Sequence, residues 1–265
     1  MRPYTGHVIS VKNHRKGMRD IKAPIIIAHR GASRQAPENT MAAFKRALEL
    51  GAGGIELDVH LSSDGHLVVT HDEKVDRTSN GKGLVRDKTF AELRSLDFGS
   101  WFSEEFKGEK IPELAEVLQL ISNWDGLLNI EIKNGPIFYP GIEKAVSDEI
   151  KKFKLTHRTI ISSFNHYSLV EIRRLNPEMK TAPLYMAGLF EPWAYAQKMG
   201  ACAIHPLFYN IVPEVMKGCK LNNIMVNPFT VDQPEHIKAM ASAGVDGIIT
   251  NVPDIALTII NEMGD

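Results

Sequence analysis

Nine short apolar, β-branched runs recur along the chain, and most are parted by segments with helical patterning. The runs are Ile25–Ala28, Gly54–Leu61, Leu67–His71, Leu127–Ile132, Thr159–Ser163, Ala182–Tyr185, Ala203–His205, Asn223–Val226 and Gly247–Thr250. Helix-like stretches between them include Asn39–Leu50, Leu114–Ser122, Ile142–Phe153, Tyr167–Leu175, Pro192–Met199 and Pro234–Ala243. Strands alternating with helices imply parallel βαβ units. One gap breaks the rule. Only Ser62-Ser63-Asp64-Gly65-His66 lies between the second and third runs, whereas a parallel crossover needs about a dozen residues or more. The third run must fold back on the second as a hairpin. It is then not a barrel stave, and eight parallel strands remain, which in about 250 residues is the size of a (β/α)8 or TIM barrel.

The chain of 265 residues is 43% hydrophobic, enough for a substantial core. With no Pro/Gly/Ser-rich linker and no internal repeat, residues 24–265 read as one domain behind an N-terminal extension, residues 1–23. The Gly-rich, charged stretch 76–111 reads as a small insertion after the second strand, placed over the barrel mouth. Lysine plus arginine, 31, nearly equals aspartate plus glutamate, 32, so no overall field gathers nucleic acid or an anionic membrane surface. The basic cluster Lys12 to Arg19 reads as a solvated tail. Cys202 and Cys219 lie in no metal or redox spacing. There is no signal-like N-terminus and no apolar run of about 20 residues. A cytoplasmic protein without membrane insertion is the expectation.

Alternation within the strands locates the chemistry. In Gly54–His60, Ile55, Leu57 and Val59 share one face and Glu56, Asp58 and His60 the other. In a barrel the helices cover the apolar face, so Glu56 and Asp58 point inward. Glu131, between Ile130 and Ile132, repeats the pattern. Buried carboxylates need a cation or a proton. Oxygen ligands without cysteine favour one hard divalent ion, Mg2+ or Ca2+, over Zn2+; a salt-bridge network with Arg30 and Lys133 would neutralise the same charge. His29 ends the first strand where barrel enzymes carry catalytic groups. The hairpin returns His71 toward the same rim, beside Asp58. Two histidines converging on carboxylates can serve as general acid and base. Asn39 or Thr40 reads as the cap of the helix that follows.

The ordered set His29-Arg30-Gly31, Pro37-Glu38-Asn39-Thr40, Glu56-Leu57-Asp58, His71-Asp72 and Glu131-Ile132-Lys133 resembles the motif series of the glycerophosphodiester phosphodiesterase family. Weaker similarity extends through Gly99-Ser100-Trp101-Phe102, Ile111-Pro112, Ser162-Ser163-Phe164 and Gly244–Pro253. The resemblance implies a TIM barrel that hydrolyses small glycerophosphodiesters to sn-glycerol 3-phosphate and an alcohol. It implies His29 and His71 as the acid–base pair, Glu56, Asp58 and Glu131 as metal ligands, and Arg30 and Lys133 on phosphate. It further implies that a neighbouring glycerol hydroxyl attacks phosphorus first, giving a cyclic phosphate that water opens. Two segments depart from the family pattern: Phe229-Thr230-Val231-Asp232 stands where Trp-Thr-Val-Asn is usual, and Asn251 where an Asp is common. Both are expected to tune the glycerol pocket. Trp101 and Phe208 are candidates for its walls, with Phe229. His60 and His66 are read as flanking an exposed hairpin, and Cys202 as core. The competing readings are a phospholipase of the same barrel family that stops at the cyclic phosphate, and a silent phosphodiester-binding barrel.

Overall fold

The computed structural model describes residues 23–264; the N-terminal stretch and its basic cluster lie outside the described residues. The strands are β1 (Ile25–His29), β2 (Gly54–Leu61), β3 (Leu67–Val69), β4 (Leu127–Ile132), β5 (Thr159–Ser163), β6 (Lys180–Tyr185), β7 (Ala203–Pro206), β8 (Met225–Val226) and β9 (Gly247–Thr250). The helices are α1 (Met41–Glu49), α2 (Phe90–Ser95), α3 (Leu114–Leu120), α4 (Ile142–Lys152), α5 (His166–Leu175), α6 (Pro192–Met199), α7 (Pro213–Leu221), α8 (Pro234–Ala243) and α9 (Pro253–Gly264). Strands pair in the order β8-β7-β6-β5-β4-β2-β1-β9, all in parallel, and β3 lies antiparallel on β2. The two ends of the sheet meet through Asp246 N–H to Val226 O at 3.0 Å, Ile249 N–H to Pro228 O at 3.0 Å and Val231 N–H to Ile249 O at 2.9 Å. Eight parallel strands thus form a nearly closed barrel.

The two faces of the sheet divide as the alternation predicts. Ile55, Leu57 and Val59 are fully buried in one cluster with Phe44 of α1 and Leu114, Val117 and Leu118 of α3. Each such side chain contributes on the order of 1.5–3 kcal/mol through its removal from water. The inward face of the same strands carries Glu56 and Asp58. Parallel registry sets His29 beside Glu56 and Asp58 beside Glu131. Thr70 N–H donates to Asp58 O at 3.1 Å, so the hairpin brings His71 in beside Asp58.

The segment after β3 builds a core of its own. Val75, Val85, Leu93, Phe98 and Ile111 bury together against Val68, and α2 starts with a reciprocal Thr89–Glu92 capping box. Glu109 accepts from the Ala42 N–H at the start of α1. Since α1 starts just after the C-terminal end of β1, this contact ties the segment to the rim that carries His29.

Candidate active site

The site is built on an unusual turn. Arg30 has φ 58° and Gly31 φ 80°, so the chain leaves β1 in the left-handed region, where residues with a Cβ are disfavoured. A Cβ on Gly31 would also sit 2.6 Å from the Ala43 carbonyl carbon, so only glycine lets α1 approach this closely. The turn points the Arg30 N–H at Glu56 Oε2, 2.9 Å away. Asn39, also left-handed at φ 57°, donates from Nδ2 to Asp58 Oδ2 at 2.8 Å and accepts from the Asp58 N–H at 3.3 Å. Thr40 caps α1, its side chain accepting from the Ala43 N–H.

Glu56, Asp58 and Glu131 each offer an oxygen within 4.8 Å of the other two, and all three residues are buried. Burial raises Glu56 well above the ordinary carboxylate range, with Asp58 and Glu131 adding to it. Burial likewise raises Glu131, where Lys133 opposes the shift. Burial would raise Asp58 too, but Lys133 and Arg30 overcome it and hold this carboxyl below the usual range. Lys133 Nζ lies 2.6 Å from Glu131 Oε1 and 3.1 Å from Asp58 Oδ1, and Arg30 Nε 3.4 Å from Asp58 Oδ2. Even so, Asp58 Oδ1 and Arg30 Nε are buried without hydrogen-bond geometry to any partner. Three mutually repelling carboxylates with an unsatisfied oxygen, spaced so that one ion can touch all three, fit a hard divalent cation.

His29 and His71 flank this cluster, near enough that His71 adds to the lowering of His29. His29 Nε2 is 3.9 Å from Glu56 Oε2. Burial, reinforced by Arg30, pushes His29 down to about 4. His71 Nδ1 lies 2.7 Å from Asp72 Oδ1. Asp72 is gripped by Arg77, whose Nε and second guanidinium nitrogen reach both its oxygens at 2.8 and 3.0 Å. Arg77 also holds both oxygens of Glu38, at 2.8 and 2.7 Å, and Glu38 accepts from Arg30 at 2.8 Å. An unbroken ionic chain therefore runs from Arg30 to His71.

His60 corrects the sequence reading. It is fully buried rather than exposed, with Nε2 3.1 Å from His71 O and Nδ1 2.9 Å from the Tyr139 hydroxyl. Its ring pins the backbone of His71. The inward parity of Glu56, Asp58 and His60 was the signal for this. His66 does lie near the surface, paired with Glu113 at 2.7 Å. Cys202 is half-buried rather than core.

The expected wall residues scatter. Phe229 packs edge-on against Phe164 with ring centroids 5.8 Å apart, and Phe164 lines a cavity of about 90 Å³ with His71, Glu131 and Lys133. A larger cleft of about 410 Å³, which shares Glu73 with the first, is lined also by Asp72, Lys74, Arg77, Pro136 and Ile137. Phe208 packs instead on Tyr209 and His236. Trp101 is exposed, donates to Phe98 O at 2.8 Å and packs edge-on against Phe102; these contacts stay within its own segment. Sequence reasoning also missed the support behind the histidines, because its members come from opposite ends of the chain. The clearest case is Asn251, which is hydrogen-bonded to His29 and is itself held by Ser33 and Asp232; the sequence marked Asp232 and Asn251 only as positions expected to tune the glycerol pocket.

A TIM barrel whose strand ends gather three carboxylates, two histidines and two cations defines a class: a barrel hydrolase acting on an anionic ester. The sequence pattern of the glycerophosphoryl diester phosphodiesterase family matches residues 29–255. The chain is 52% identical to a glycerophosphodiester phosphodiesterase of Caldanaerobacter subterraneus subsp. tengcongensis, covering 91% of this chain and 99% of that one. It is 43% identical to a glycerophosphodiester phosphodiesterase of Bacillus altitudinis, over 90% and 98% of the two chains. An Oleispira antarctica phosphodiesterase, solved in complex with the product sn-glycerol-3-phosphate, superposes with a TM-score of 0.82 at 30% identity, over 90% and 97%. The chain belongs to the glycerophosphoryl diester phosphodiesterase family.

Proposed function

We propose that the protein hydrolyses glycerophosphodiesters to sn-glycerol 3-phosphate and an alcohol, with His29 and His71 as proton-transfer groups. The observation that carries this is the convergence of both histidines on the buried Glu56–Asp58–Glu131 cluster, in a chain of this family. The three carboxylates are the ligands of one divalent ion, Mg2+ or Ca2+. When bound, that ion neutralises charge on the phosphoryl oxygens and orients the glycerol. Arg30 and Lys133 are assigned to phosphate oxygens.

The two histidines differ in what faces Nδ1. His29 meets a neutral amide oxygen, from Asn251 at 2.7 Å, and burial holds its ring neutral at pH 7. His71 meets the Asp72 carboxylate, which accepts from Nδ1 and orients the ring. His29 is therefore the first base and His71 the first acid. The glycerol hydroxyl next to the phosphodiester gives its proton to His29 as its oxygen bonds phosphorus. The bond from phosphorus to the head-group oxygen breaks, and that oxygen takes the His71 proton. Water then opens the cyclic phosphate: neutral His71 takes a proton from water, and protonated His29 returns one to the departing glycerol oxygen.

Trp101, Phe208 and Phe229 are assigned to substrate selection, Phe229 through its contact with Phe164. The near balance of charge supports a small water-soluble substrate rather than nucleic acid. Among the described residues no helix is long and apolar enough to cross a membrane, and the free thiols Cys202 and Cys219 fit a cytoplasmic setting. The test is release of glycerol 3-phosphate from glycerophosphocholine by purified protein with Mg2+ or Ca2+. Release that stops with EDTA supports the reading; accumulation of cyclic phosphate alone, or no turnover with either metal, overturns it.

A further inference from the structure

Asp232, which follows β8, and Asn251, which follows β9, are two of the three positions at which this chain departs from the family pattern, Phe229 being the third, and these two meet. Asn251 Nδ2 donates to Asp232 Oδ2 at 2.7 Å, and the Asn251 N–H donates to Asp232 Oδ1 at 2.9 Å. The Thr250 hydroxyl adds a third donor, 3.2 Å from the same Oδ1. A carboxylate only accepts, so it holds the amide of Asn251 with its nitrogen turned toward Asp232. The amide oxygen must then face the other way. There it accepts from the Ser33 hydroxyl at 2.9 Å and lies 2.7 Å from His29 Nδ1.

An amide oxygen has no proton to give, so His29 Nδ1 must be the donor in that contact. In a neutral imidazole the other nitrogen then bears the lone pair. This is Nε2, the nitrogen on the side of Glu56. We propose that Asp232 and Asn251 form a two-residue positioning device that fixes the His29 ring and its tautomer, Nδ1 protonated and Nε2 free as the proton acceptor. The device rests on the reading of His29 as a proton-transfer group, but its structural half stands apart from activity. The two residues are complementary rather than individually required: one must be the anionic acceptor and the other must turn an oxygen toward His29. Exchanging their identities preserves both conditions, with an amide at 232 donating to a carboxylate at 251 whose second oxygen faces Nδ1.

The test has two arms. In the first, ¹⁵N spectra of histidine-labelled wild-type protein at neutral pH report which His29 nitrogen carries the proton. A proton on Nδ1 is expected, and a proton on Nε2 overturns the proposal whether or not the protein turns over substrate. In the second, kcat, KM and melting temperature are measured for Asn251→Ala, Asn251→Asp, Asp232→Asn and the double exchange D232N/N251D, with glycerophosphocholine as substrate. Asn251→Ala is expected to lower kcat about 10–100-fold, the usual cost of losing a partner that orients a reactive group, with KM changed less than about threefold. Asn251→Asp sets two carboxylates against each other and should also lose activity, and the double exchange should recover at least about tenfold over it. Wild-type kcat in folded Asn251→Ala, or a double exchange no faster than Asn251→Asp, overturns the proposal. So does a fall in melting temperature with turnover per folded molecule preserved. An inactive wild-type protein with Nδ1 protonated would instead fault the catalytic reading and leave the positioning device standing.

Discussion

Two histidines face the inside of this barrel from opposite arcs, and they have different company. His29, on the β1–β2–β4 arc, stands among Glu56, Asp58, Arg30 and His71, each of which acts on its charge or touches it. His205, on the β5–β8 arc, is fully buried, and burial alone pushes it down to about 3. Its ring is hydrogen-bonded to Asn227 at 3.1 Å through Nε2, while Nδ1 is buried without a partner. Inward position is therefore what the fold supplies to both arcs, while ionic neighbours distinguish the arc to which proton transfer is assigned from the other. Beside His205, the second arc presents Leu184 and Asn227, neither of them ionisable.

The largest expected effect breaks the charged arc. His29→Ala or His71→Ala should lower kcat by roughly 10²–10⁴-fold, and the double variant should lose much less than the product of the two because the groups act as one unit. His205→Asn should leave kcat within about tenfold of wild type. Turnover kinetics on folded protein decides this, and near-wild-type kcat in either of the first two variants would end their assignment as proton-transfer groups. A smaller loss is expected for Asp72→Asn, about 10–100-fold in kcat, since Asp72 faces His71 Nδ1. An unchanged kcat would mean that Asp72 serves only the Arg77 network.

The contrast between arcs was partly legible in the sequence. Period-2 alternation put Glu56, Asp58 and Glu131 inward because a strand has one rule for direction. All nine strand runs were visible, and the five-residue gap identified the hairpin. Helices α2, α7 and α9 were not among the segments named as helical. In α7 the obstacle is Gly218, which breaks a helical pattern on paper; a Cβ there would lie 2.2 Å from the Trp193 ring, so the glycine lets α7 pack closely on α6. The contacts around His29 and His71 were beyond any local pattern. His29 and Asn251 are 222 positions apart and Glu38 and Arg77 are 39 apart, and nothing in either segment's periodicity announces its partner.

A third prediction sharpens the division between chemistry and selection. Trp101→Ala should change KM or head-group preference by a few-fold, with metal affinity unchanged, because its contacts stay within its own segment. A loss of metal affinity in this variant would attach that segment to the charged arc.

The smallest expected effect lies on the quiet arc and concerns stability. His205 is lowered from its ordinary value of 6.5 to about 3, so the unfolded chain binds a proton there that the native protein does not. Its contribution is fully present above pH 6.5 and is lost as pH falls toward 3. Melting temperature should decline over that window, and His205→Asn should flatten the decline. An equally steep decline in the variant would assign the effect to other buried groups, such as His60, which is lowered to about 4 by burial.

The central claim is that the charged arc holds one divalent ion on Glu56, Asp58 and Glu131. Calorimetric titration of the chelator-treated protein with Mg2+ and with Ca2+, alongside Glu56→Gln, addresses it most directly. The account predicts one site for at least one of the two ions, an affinity at least about tenfold weaker in the variant, and turnover that falls with the lost metal. Full activity in excess EDTA, or a variant that binds the ion as tightly as wild type, would contradict it.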